Sequence, residues 1–283
     1  MLSINTNMSA INALNTINRV NKDMMSTQQR LATGKKINSA ADNPAGLVIV
    51  KQLESQLAGV TQAIDNTKTA VSLVKAAESA HDEMNKLLEK AKKLTLSNLD
   101  AATSAEAKVA NQTELNNIVD SIERIADNTK FGTTKLLDGT FTGKNFQIGG
   151  NAGETVSLDI TDMQTANLGT GGGGGLGNLA AVKGLDSTSA DYNDVLGVID
   201  DAINDVTTQR GALGAFQTNT LESNLNSLVV TKEQLTASKS VIEDADMAEE
   251  SVQLNKQLAQ YQLAIMTLQQ SNQRSGQILS LFG

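Results

Sequence analysis

His81 is the only imidazole in the chain, and Asp82 and Glu83 follow it directly, so any acid–base or metal chemistry would have to begin there. Protease-type zinc binding needs two histidines at helical spacing, which a single histidine cannot supply. A nucleophile triad would have to run through the same ring. His81, however, stands between Ala77 and Met84 in a series of positions three and four apart, the setting of a packed core histidine. With no cysteine there is no thiolate, disulfide or Cys-based metal site. The glycine run satisfies G-x-G-x-x-G only as any polyglycine would, with no βαβ unit around it, and reads as a linker. Asp244, Asp246, Glu249 and Glu250 do not have the spacing of an EF-hand loop and suit the first turn of a helix. Lys90, Lys92 and Lys93 with Glu89 and Glu114 read as a solvated helix face. Asn111-Gln112-Thr113 is a glycosylation triplet of low specificity. The residues predict no catalytic site, no cofactor and no metal.

What does stand out is a pair of amphipathic ends. Near the C-terminus Leu254, Leu258, Tyr261, Ile265 and Leu268 recur at alternating spacings of four and three, the heptad signature of a helix pressed along a partner. Val252, Ala259 and Met266, with Leu263 beside them, form a second stripe that one partner would leave wet. Several glutamines lie between, able to hydrogen-bond in a crowded interface without the cost of burying ions. At the other end Ile4, Met8, Ile11, Leu14, Ile17, Val20 and Met24 repeat the theme with a broad apolar face. The N-terminal segment carries a surplus of Lys and Arg, and the segment from Val241 onward a surplus of Asp and Glu. The two ends are therefore expected to pair with each other.

Between them, Pro44, the only proline, suits the first turn of a long helix running to about Leu99. Its seam passes through Leu53, Leu57, Val60 and Ile64, then through Ala70, Val74, Ala77, His81, Met84, Leu88 and Ala91. Leu115, Ile118, Ile122 and Ile125 mark a further helix. From 131 to 160 the period changes to two, at Phe146 and Ile148 and at Val156, Leu158 and Ile160, which predicts a β-hairpin patch. A Gly-rich surface loop is expected at about 161–190. Helical spacing resumes from Tyr192 to Phe216 and, after a phase break, through Leu221, Leu225, Leu228 and Leu235. The predicted fold is mainly α: a long antiparallel helical bundle with a small hairpin patch and terminal helices paired as a coiled coil. Its expected divisions are 1–43, 44–240 and 241–283.

A net charge of −8 argues against nucleic acid as a partner. The scarcity of aromatic residues and absence of Trp leave helices packed through Leu, Ile, Val and Ala as the way to build a core. No stretch has the apolar length to span a bilayer, and the Asn- and Ser-interrupted start is unlike a cleavable signal.

These features come with ordered motifs: INTNMSAINALN at 4–15, RLATGKKINSAADNPAGLVI at 30–49, TKFGTTKLLDG at 129–139, RGALGAFQ at 210–217, IEDADMAEES at 242–251 and ILSLF at 278–282. Together they resemble a bacterial flagellin, in a short form lacking large outer domains. The resemblance implies a homopolymer, the flagellar filament of swimming motility, with 1–43 and 241–283 forming an inner tube and the central helices a shell. It further implies unfolded export through the flagellar type III apparatus, a chaperone on the C-terminal segment, contacts with filament cap and hook-associated proteins, and an extracellular location. It places on Lys90, Leu94 and Glu114 the surface read by the Toll-like flagellin receptor of animal hosts, with Lys where the family carries Arg. Two other readings share the helical design: a hook–filament junction protein and a cytoplasmic signalling rod. The rod would have a tight helical turn at mid-chain, where this sequence has strand periodicity and polyglycine.

Overall fold

The computed structural model describes residues 7–171, 176–185 and 191–279, with side chains to 273. Ile4 of the expected N-terminal stripe lies outside these, as does part of the glycine run.

Helix α1 spans Met8–Thr33, where the Asn7 side chain accepts the Ala10 amide at 3.1 Å and satisfies one of the free N–H groups of the first turn. It stops at Gly34, whose φ of 70° is left-handed and whose amide closes the last turn on the Arg30 carbonyl at 2.8 Å. In the following loop Asp42 accepts the Ser39 and Asn38 amides, at 2.8 and 3.1 Å, and these bonds hold its carboxyl below the usual range. Asn43 accepts the Gly46 amide at 2.9 Å, and Pro44 opens the 56-residue helix α2, Pro44–Leu99. Helix α3, Ala105–Asn128, begins behind Ser104, which accepts the Ala107 amide. Helix α4, Tyr192–Ala215, begins behind Asp191, α5 is Ser223–Glu243, and α6 is Met247–Leu279.

The chain divides into two compact units, residues 1–57 with 233–283, and residues 58–232. The second has the larger core. Ala70, Val74, Ala77, Met84, Leu88 and Ala91 of α2 are buried with Leu115, Ile118 and Ile122 of α3 and Val195, Ile199, Val206 and Leu213 of α4. Helices α2 and α3 run antiparallel, as the Lys90–Glu114 and Asn98–Asn111 pairs require. Helices α2 and α4 do the same, through Asp82–Arg210 and Lys92–Asp200.

Strand periodicity resolves into two ribbons rather than one patch. Strands β1, Lys130–Phe131, and β2, Thr134–Lys135, pair antiparallel, as do β3, Lys144–Gln147, and β4, Thr155–Leu158, with Phe146 opposite Val156. The expectation of a surface loop at 161–190 needs correction. Met163, Leu168, Leu179 and Val182 of this stretch are buried in the core, the last two on a 3₁₀ turn at Leu179–Val182. Leu176, Leu179, Val182 and Leu185 recur every three residues, the period of a 3₁₀ helix, but the run is short and follows the polyglycine, so from sequence alone it reads as loop. The phase break after Phe216 is a π-helical segment, Phe216–Glu222, joining α4 to α5 without interruption.

Candidate assembly interface

In the unit built from the chain ends, α1 and α6 pack antiparallel. Arg30 Nη1 meets Glu250 Oε1 at 3.1 Å, Gln257 Nε2 donates to Thr27 Oγ1 at 3.1 Å, and Asn7 Nδ2 donates to the Ser271 carbonyl at 3.1 Å. The opposite charge surpluses of the two ends thus meet at named pairs. Below α1 the backbone continues the contact: the Lys36 amide donates to the Glu243 carbonyl at 2.7 Å and the Ala245 amide to the Gly34 carbonyl at 2.9 Å.

Of the residues at the centre of this helix pair, only Val20 belongs to the expected seams. Ala13, Val20 and Thr27 are the buried residues of α1, seven apart, and Gln257, Ala264 and Ser271 are their counterparts on α6. Two helices can approach closely only where the side chains between them are small, so the larger residues fall to either side. Ile17, Leu254, Tyr261, Ile265 and Leu268 are half-buried flanks, and Ile11, Leu14 and Leu258 are exposed. Met8, Val252 and Met266 are each at least 60% exposed, as is Leu263. The signal that could have found the central line is its heptad spacing, which hydrophobicity alone obscures because four of the six residues are Ala, Thr or Ser and a fifth is Gln.

A chain of alternating charges closes the base of this unit. Lys35 lies 2.5 Å from Glu243, which lies 3.3 Å from Lys239, which lies 2.9 Å from Glu54, which lies 2.8 Å from Lys51. The ammonium of Lys51, then that of Lys239, hydrogen-bonds Glu54 and lowers its carboxyl to about 2. The Lys239–Glu243 and Lys51–Glu54 members are legible as helical i,i+4 and i,i+3 pairs; the cross-links between elements are not.

The residues that invited a chemical reading are occupied structurally. His81 is fully buried, its Nδ1 donating to the Ala77 carbonyl at 2.6 Å, and burial pushes its pKa down. Asp82 faces Lys86 and Arg210 at 2.9 and 2.8 Å. Asp246 caps α6, accepting the Ala248 amide at 2.8 Å, while Asp244 accepts from Ser240 and Glu250 pairs with Arg30. Lys90 and Glu114 are brought together at 2.5 Å across α2 and α3, with Leu94 half-buried one turn along α2. Beside them a shallow groove of about 630 Å³ between these helices is lined by Leu87, Ile125, Glu83 and Arg124 among others. It holds no constellation of acid, base and nucleophile.

Apolar stripes left exposed along a terminal helix pair are the mark of a protein that associates through that surface. The family profile "Bacterial flagellin N-terminal helical region" matches residues 4–142, and "Bacterial flagellin C-terminal helical region" matches 196–282. A flagellin of Bacillus subtilis (strain 168) is 35% identical over 303 aligned residues, covering 99% of each chain. The "Flagellar filament 33 kDa core protein" of Treponema phagedenis is 32% identical, covering 98% of this chain and 99% of its own. Among solved structures, a putative flagellar hook-associated protein of Vibrio parahaemolyticus shares the fold, with a TM-score of 0.60 over 71% of this chain and 99% of its own at 16% identity. The chain belongs to the bacterial flagellin family. It is a subunit that polymerises into the flagellar filament, a structural protein and not an enzyme.

Proposed function

We propose that polymerisation is driven by covering the stripes that the α1–α6 pair leaves open, with residues 1–43 and 241–283 forming the filament's inner tube and 44–240 its shell. The observation behind this reading is the exposure of Met8, Val252, Leu263 and Met266 on helices whose opposite faces are already paired. Covering one such aliphatic side chain contributes about 1.5–3 kcal/mol, so a few per end favour a subunit adding to an existing fibre. A contact in which the α6 stripe of one subunit meets the α1 stripe of the next, head to tail, propagates instead of closing as a dimer.

Assembly on this scheme follows unfolded export through the flagellar type III apparatus to the outside of the cell. The open face of α6 is the natural seat for an export chaperone, and the same ends would meet the filament cap and hook-associated proteins. The exposed Lys90–Glu114 pair with Leu94 is the surface on which the host Toll-like flagellin receptor would act. Lys in place of Arg offers a point charge without the planar fork, which weakens that recognition.

The test is removal of residues from Leu254 onward. The truncated chain is expected to remain a soluble helical monomer and to fail to elongate filament seeds under electron microscopy; long filaments from it would overturn the scheme.

A further inference from the structure

The segment Phe216–Glu222 carries one residue more than an α-helix accommodates. An α-helix returns to nearly the same direction after about seven residues, yet Leu213 and the next fully buried leucine, Leu221, are eight apart. The i to i+5 winding of a π turn absorbs the extra position. Gln217 Nε2 donating to Glu222 Oε1 at 2.9 Å spans the same five-residue interval on the side chains. In unbroken α geometry Thr220, Ser223 and Ser227 would point where Leu221, Asn224 and Leu228 now point. The π turn therefore replaces three small hydroxyl residues by two leucines and a carboxamide.

That carboxamide has a task. Asn224 Nδ2 donates to the Ile148 carbonyl at 2.8 Å, where β3 enters its turn. The neighbouring carbonyl of Gln147 accepts from Asn66 Nδ2 of α2 at 3.1 Å. The turn also sits on α2 at Gly59, where a Cβ would lie 2.8 Å from the Gly150 carbonyl oxygen. The hairpin is thus clamped on one side by α2 and on the other by a residue whose direction the π turn sets.

We propose that 216–222 is a movable register joint coupling the rotation of α5 to the docking of the β3–β4 hairpin. With the extra residue upstream of Leu221, Asn224 holds Ile148. When the extra residue migrates past Asn224, Ser223 takes over that direction with a side chain one bond shorter, and the hairpin turn is released.

Hydrogen exchange on the full-length monomer tests this. The reporters are the Ile148 and Gly149 amides, both bonded to the Glu154 carbonyl, and the amides of 216–222. The two groups are expected to exchange with the same protection in the native chain, because one event opens both. Deleting Asn219, or independently Thr218, removes the extra residue while keeping Leu221, Asn224 and Leu228 inward. Either deletion should raise protection of both groups by about tenfold or more. Asn224→Ala should lower protection of the turn by up to about tenfold, the worth of one hydrogen bond, and lower that of 216–222 as well, since the same bond holds the native register. The proposal fails if both deletions unfold the unit, if they leave hairpin protection at or below the native level, or if the two groups exchange independently in the native chain.

Discussion

The ammonium of Lys35 lies 2.5 Å from the Glu243 carboxylate, and the amide of the next residue, Lys36, donates to the carbonyl of the same glutamate at 2.7 Å. Side chain and backbone of Glu243 together fasten the end of α5 to the segment leaving α1, and Lys239 holds the second carboxylate oxygen at 3.3 Å. The carboxylate is buried, and removing it leaves Lys35 without this acceptor and Lys239 with Glu54 alone.

Glu243→Ala is expected to cost about 1.5–3 kcal/mol, the range for hydrogen bonds to charged groups. Lys35→Ala should cost less, since Lys35 is half in solvent and Lys239 still faces the carboxylate. Denaturant unfolding of the monomer gives the totals, and exchange of the Lys36 and Ala245 amides reports whether the junction opens locally.

Two kinds of group give the monomer an acid dependence at separate pH ranges: the carboxylates held low, Glu54 with Asp42, Asp82, Asp138 and Glu154, and the buried His81. Glu54 has a folded pKa of about 2 against a usual 4.5, so the stability it contributes is present in full above about 4.5 and is lost as pH falls toward 2. His81 is buried and neutral, with a pKa below its usual 6.5; the unfolded chain takes up a proton that the folded one refuses, and stability declines as pH drops below that value. Unfolding curves from pH 8 to 2 should therefore lose the upper slope in His81→Leu and fall less steeply at the lower end in Glu54→Gln, where Asp42, Asp82, Asp138 and Glu154 still contribute. A native profile unchanged between pH 8 and 5 would contradict the reading of His81.

Much of this was legible in the chain itself. The seam from Ala70 to Ala91 is buried throughout, because α2 packs into a core where three- and four-residue spacing is enforced by geometry on each side. Pro44 and Ser104 mark helix starts by local chemistry alone. The terminal interface was read less completely. Leucine and isoleucine draw attention, yet beside the expected Val20 it is Ala13, Thr27, Gln257, Ala264 and Ser271 that occupy the contact, since which residues lie between two helices depends on how close the backbones come. The burial of Met163 and Leu168 and the partner of Asn224 depend on long-range packing that no local pattern encodes, whereas the three-residue spacing of Leu176, Leu179, Val182 and Leu185 is present but short.

The closeness of α1 and α6 yields its own prediction. Ala264→Leu adds bulk at the buried centre and should destabilise the pair by about 1–3 kcal/mol, as overpacking does elsewhere. The same change at exposed Ala259 should leave unfolding within about 0.5 kcal/mol of the native chain. Circular dichroism melts of the two variants make the comparison; equal effects would mean that the small-residue line does not set the helix separation.

The exposed stripe is expected to behave in the opposite way. Val252→Ser and Met266→Ser alter side chains that touch mostly solvent in the lone chain, where each is at least 60% exposed, so the monomer's helicity and melting temperature should not move. On the proposed scheme the filament covers the same residues, and each substitution forfeits about 1.5–3 kcal/mol of burial. Since about 1.4 kcal/mol is a tenfold change in an equilibrium constant, the critical concentration for elongation from seeds should rise roughly ten- to a hundredfold per substitution. Sedimentation of seeded mixtures across a concentration series measures that threshold directly. A normal threshold with a normal monomer would locate the driving contact on some other face of the subunit, and a normal threshold with a weakened monomer would show that the stripe serves folding instead.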